Sequence, residues 1–94
     1  MVDVAIRAIK PSARRHGVSE DRIREAIAAC PQVLLVLGHP GGAVDLVLFL
    51  GRDRHGVLLE VVGREHEDGT VTVFHAMRMR PAYRVLHAHM SGLP

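Results

Sequence analysis

Residues Val44–Met77 read VDLVLFLGRDRHGVLLEVVGREHEDGTVTVFHAM, and this stretch decides the fold class. Three runs rich in Val, Leu and Phe, VDLVLFLG, VLLEVVGRE and TVTVFHAM, have the composition of β-strands. RDRHG and HEDG separate them, and both are built from turn residues. Connections this short join antiparallel neighbours, so the stretch predicts a meander. A fourth run, QVLLVLG at Gln32–Gly38, precedes it behind the turn HPGG.

Hairpin loops of even length, two or four residues, set an expected register. Glu60 then lies opposite or diagonal to His75, Phe49 faces Glu60, and Asp45 faces Arg64. One sheet face becomes Leu46, Leu48, Leu50, Leu59, Val61, Phe74 and Ala76, wholly apolar and suited to carry the helices. The other becomes Asp45, Val47, Phe49, Leu58, Glu60, Val62, Arg64, Val73, His75 and Met77, with ionisable groups near its centre. An odd loop would move Glu60 and His75 to opposite faces.

Outside the strands, Ser19–Cys30 predicts a helix. Ser19 is an N-cap, Glu20 and Asp21 place negative charge in the first turn, and Val18 and Ile23 stand as a hydrophobic staple. Ile23, Ala26, Ile27 and Cys30 mark its apolar face, and Pro31 ends it. Val2–Ile9 fits both a helical and an alternating pattern and is read as a short strand. Pro11 opens one or two turns that Gly17 stops. Pro81 starts a last helix with Ala82, Val85, Leu86 and Met90 expected inward and Gly92 near its end. The expected fold is a single α+β domain over residues 1–94. In it an antiparallel meander of three to four strands carries N-terminal helices and a C-terminal helix on one face.

Composition narrows the function. With 94 residues the chain builds one core and no separate catalytic domain. The net charge of +2 permits an anionic partner. Lys10 is the only lysine, so the positive charge is almost all arginine, which suits bidentate phosphate or carboxylate contacts; a genome whose base composition favours Arg codons would give the same bias. One cysteine excludes an internal disulfide and fits a reducing cytoplasm. No apolar run approaches a membrane span, and the N-terminus lacks the order of a secretory signal, so a cytoplasmic protein is expected.

Three constellations carry chemistry. Glu60 beside His75 forms an acid–base pair or a solubilising cross-strand pair. Arg78, Arg80, Tyr83 and Arg84 form a cationic cluster with the only tyrosine, either a phosphate site or a solvated surface. Arg52, Arg54 and His55 in the hairpin loop extend a phosphate-binding rim or form a polar turn. Arg14, Arg15 and His16 add to a basic surface if they lie near the C-terminal cluster. Seven histidines are many, but His87 and His89 stand two apart and no Cys/His spacing matches zinc, so no metal and no cofactor is expected.

Three segments resemble a known family. RHGVSED at Arg15–Asp21 is similar to a Lys-His-Gly-Val-Ser signature of BrnT-type toxins of type II toxin–antitoxin pairs. LGRDRHGVLLEVVG at Leu50–Gly63 resembles their central hairpin, and VFHAMRMRPAYR their last strand running into a basic helix. The resemblance implies a RelE-like ribonuclease fold and metal-independent RNA cleavage through the 2′-hydroxyl. It also implies a cognate antitoxin as partner, in a toxin–antitoxin hetero-oligomer or beside a homo-oligomer, with no membrane partner. Carried onto this chain, it matches Arg52 and Arg78 most directly, then Arg80 and Arg84. With His75, Glu60 and Tyr83 added on their chemistry alone, the catalytic candidates are His75, Arg78, Glu60 and Tyr83, and the RNA-binding candidates Arg52, Arg80 and Arg84. The alternative is a non-enzymatic module of the same fold that binds protein or nucleic acid.

Overall fold

The computed structural model describes residues 4–30, 34–38 and 45–91, with backbone alone for 34–38 and 45. The fold is α+β. Strands β1 (Ile6–Ile9), β2 (Leu34–Gly38), β3 (Asp45–Arg52), β4 (Leu58–Glu65) and β5 (Val71–Arg78) are joined by a 3₁₀ turn at Pro11–Arg14 and by helices α1 (Glu20–Ala28) and α2 (Pro81–Met90). Among the described residues the sheet has five strands in the order β1-β5-β4-β3-β2. From β2 to β5 it is the expected antiparallel meander, and β1 adds to its edge in parallel with β5. The expected turn at HPGG, the helix stop at Pro31, Val2 and Gly92 lie outside the described residues.

Helix α1 forms as its sequence dictates. The Ser19 side chain accepts a hydrogen bond from the Arg22 N–H at 3.3 Å, and Val18 and Ile23 are buried. Its inner residues Ile23, Ala26 and Ile27 pack with Cys30 on Val47, Phe49, Leu59, Val61, Val73 and Ala76 of the sheet. The helix lies so close that a Cβ on Gly51 would overlap the backbone carbonyl of Ala26. Gly51→Val is therefore expected to destabilise the fold by about 3 kcal/mol, the upper part of the usual overpacking range. Urea unfolding at constant slope checks this.

Both hairpin loops are odd, which corrects part of the expected register. Asp53 N donates to Val57 O at 3.0 Å, and His66 N donates to Thr70 O at 2.8 Å, so only three residues remain in each loop. The third is a glycine in the left-handed region, Gly56 at φ 79° and Gly69 at φ 85°. A type I turn followed by such a glycine is the standard three-residue hairpin. Asp53 and His66 thus belong to the ladder rather than to the loop. As a result Leu50, not Phe49, pairs with Glu60, Leu46 pairs with Arg64, and Asp45 pairs with Glu65. Val47, Phe49 and Val73 join the α1 face, and Leu48 and Leu50 join the face of Glu60.

Helices cover both faces rather than one. Tyr83 and Met90 of α2 pack with Met79 on Leu48, Leu50, Leu58 and Val62, opposite α1. The expected inner face of α2 was also rotated. Tyr83, His87 and Met90 point inward, whereas Ala82 is exposed and Val85 and Leu86 are 75% and 37% exposed. No helix among the described residues is long and apolar enough to cross a membrane.

Candidate active site

Glu60 is the unusual residue of this fold. It sits on β4, the central strand, and its side chain is 0% exposed. A carboxylate in that position needs charged partners, because burying an unpaired charge is prohibitively costly. Arg80 supplies most of them. Its backbone N–H donates to Oε1 at 2.9 Å, Nε to Oε1 at 3.0 Å, and Nη2 to Oε2 at 2.8 Å. His75 adds Nε2 to Oε2 at 3.2 Å. Burial would raise the Glu60 carboxyl, but hydrogen bonds from Arg80 and His75 outweigh it and hold it below the usual carboxylate range. Glu60 is thus ionised and a weak base. Its chemical role is to hold two other side chains.

His75 reaches Glu60 by two compensating shifts. The odd loop at 66–70 pairs Glu65 with Val71 and Gly63 with Val73, which alone would send His75 to the α1 face. A bulge then inserts Phe74 as an extra residue, and Val62 pairs with His75. Bulges re-aim the side chains that follow them. Gly63 lies at the bulge, where a Cβ would meet Val71 Cγ1 at 2.5 Å. Ser12 Oγ donates to the Phe74 carbonyl at 2.8 Å, which ties the 3₁₀ turn to β5 where β1 has ended. Glu60 and His75 therefore share a face, diagonally, as expected, although neither step of the expected register holds.

The same anchor brings His16 over the sheet edge. Its ring meets that of His75 edge-on, with centroids 5.7 Å apart and planes at 72°. Ser12, Arg15, His16, Val62, His75 and Arg80 surround an open depression of about 420 Å³, with Phe74 at its margin. Arg80 is 57% and His75 27% exposed, so both face solvent while Glu60 does not.

A scan of protein-family models finds no match, and searches of curated proteins and of solved structures find no relative. The geometry of the cleft therefore carries the functional argument.

Of the sequence candidates, Glu60, His75, Arg80 and Tyr83 come together. The Arg80 guanidinium lies 5.5 Å from the centre of the Tyr83 ring, a cation–π contact that steadies its free edge. Arg84 is one turn on and spends Nε on the Met79 carbonyl at 3.1 Å, closing the start of α2. Arg78 pairs with Leu59, so it stands exposed on the α1 face, away from His75. Arg52 donates to the Gly56 carbonyl at 3.1 Å at the far end of α2. Arg54 is held by Glu25 across the loop. Arg15 and His16 are the additions: their basic run was legible, but its proximity to His75 depends on the Ser12 anchor and the bulge. No three His, Cys, Asp or Glu side chains converge as metal ligands among the described residues.

His87 lies under α2 and is nearly fully buried. Burial first, then the charge of Arg52, lowers its pKa below 6.5. The unfolded chain therefore binds a proton there more readily than the folded one, and stability rises with pH through that window. Wild type is expected to lose stability as pH falls below 6.5, until the folded-state value is reached. His87→Leu should lack this component, as unfolding midpoints above and below that pH will reveal.

Proposed function

We propose that this protein is a metal-independent endoribonuclease whose active site is the cleft between His16 and His75. The observation that carries the reading is the pairing of two imidazoles between two arginines, one imidazole being oriented by a buried carboxylate. Cleavage through the 2′-hydroxyl needs a base to take its proton and an acid to protonate the departing 5′-oxygen, while cations stabilise the charge on phosphorus-bound oxygens. His75 and His16 provide the proton-transfer groups. With Nε2 of His75 on Glu60, its Nδ1 edge is left for substrate. The 2′-oxygen attacks phosphorus, the P–O5′ bond breaks, and a 2′,3′-cyclic phosphate remains. Glu60 cancels much of the charge of Arg80, so Arg15 and the protonated imidazole supply the net positive charge that the transition state requires.

The cellular role supported by the sequence resemblance is that of a type II toxin held by a cognate antitoxin. Induced expression in a bacterium tests it. Growth arrest with fragmented RNA is expected for wild type and not for His75→Ala; normal growth with intact RNA would overturn the toxin role. The second reading, RNA binding without cleavage, is favoured by how fully Glu60 occupies Arg80. It predicts RNA retained intact by the purified protein.

A further inference from the structure

A second depression lies beside the cleft. It measures about 500 Å³ and presents Arg7, Lys10, Arg64 and His66. Phe74 borders both depressions. Helix α2 packs over the β3 side of its sheet face, through Leu48, Leu50 and Leu58, so the β5 and β1 side remains open.

We propose that this second depression is a binding subsite for single-stranded RNA, with Phe74 as the stacking platform between it and the cleft. The proposal rests on the ribonuclease reading and extends it to a substrate class. The chain has only two phenylalanines, and they have opposite fates: Phe49 is fully buried, whereas the bulge turns Phe74 to the partly exposed surface. A partly exposed aromatic flanked by cations is the arrangement that holds unpaired bases and their phosphates. Among the described residues Lys10 and Arg64 have no carboxylate partner, so their charges are available to phosphates. Arg7 is partly engaged by Asp68 at 3.0 Å, and His66 Nε2 meets Thr72 Oγ1 at 2.7 Å. These contacts shape the rim and leave Lys10 and Arg64 as the main anchors. A duplex hides its bases from Phe74, so strandedness decides binding.

The test is anisotropy of a labelled, non-cleavable 2′-O-methyl oligonucleotide of about eight nucleotides. Phe74→Ala is expected to weaken binding about tenfold or more, and Phe74→Trp to restore it, which separates stacking from damage to the bulge. Lys10→Ala with Arg64→Ala should weaken binding and lower its dependence on salt, by about 1.4 in the log–log slope for two phosphate contacts. The same sequence as a duplex should bind more weakly than the single strand. Wild-type binding in these variants, or equal binding of the duplex, overturns the subsite. Cleavage of an all-ribose strand is scored separately. Cleavage with unchanged binding in the variants removes the subsite and keeps the nuclease; the expected binding pattern with no cleavage removes the nuclease and keeps the strand path.

Discussion

Replacing His75 by alanine is expected to lower the rate of RNA cleavage by about 100- to 10,000-fold, the usual contribution of a positioned acid or base. The fold should survive. His75 is partly exposed, and Glu60 keeps its bonds to Arg80 when the imidazole is gone. Loss of one hydrogen bond costs about 1 kcal/mol, which an unfolding curve will register as a small shift in midpoint. His16→Ala should lower the rate in the same range with even less effect on stability, since its ring is exposed. Arg78→Ala should affect the rate far less than either, because Arg78 stands on the other face of the sheet. A rate loss in Arg78→Ala equal to that in His75→Ala would place the chemistry elsewhere.

At the site itself, the main stability effect is expected at Glu60. Glu60→Gln keeps the shape but removes the charge that draws in Arg80 and His75. Removing one partner of a buried ion pair costs about 3–5 kcal/mol when the other charge is left buried and uncompensated. Here the partner Arg80 is 57% exposed and can be solvated once released, so about 2 kcal/mol is the expected loss. The pH dependence follows from the sign of the shift. The folded-state carboxyl is held below its ordinary 4.5, so its contribution is fully present above 4.5 and is lost as pH falls through the folded value. Glu60→Gln should lack that acid-side loss. Cleavage should fall as well, because Arg80 and His75 lose their common anchor. Equal stability of wild type and Glu60→Gln across this range would remove Glu60 as the organising residue.

Much of this arrangement can be read from the chain, and the failures have physical causes. The strands announce themselves through β-branched and leucine-rich runs, and α1 through Ser19, Glu20 and Asp21. Glu60 and His75 are correctly placed on one sheet face, but the full burial of Glu60 is not foreseen, because the expected position of α2 is the other face. The face of β3 is misread because Gly56 takes positive φ, shortening the loop by one residue. The same shortening occurs at Gly69, but the bulge at Phe74 restores the parity for His75. Two local features of opposite effect cannot be separated by alternation alone. For α2, hydropathy favours Val85 and Leu86 inward. The Glu60 carboxylate instead fixes Arg80 at the N-cap and so sets the rotation of the helix, which turns Tyr83, His87 and Met90 to the sheet. The grouping of Arg78 with Arg80 fails because alternation, which would put two residues at i and i+2 on one face, ends with β5 at Arg78, and Arg80 is instead the N-cap of α2 drawn to Glu60.

In the proposed reaction the His16–His75 cleft cleaves RNA through the 2′-hydroxyl with its own side chains. The direct measurement is incubation of wild-type protein, with a chelator present, with a DNA strand carrying a single ribonucleotide. One cut is expected, immediately 3′ of that ribonucleotide, leaving a 2′,3′-cyclic phosphate, and no cut when the 2′-hydroxyl is methylated. An intact chimeric strand, or equal cutting of the methylated one, would contradict it.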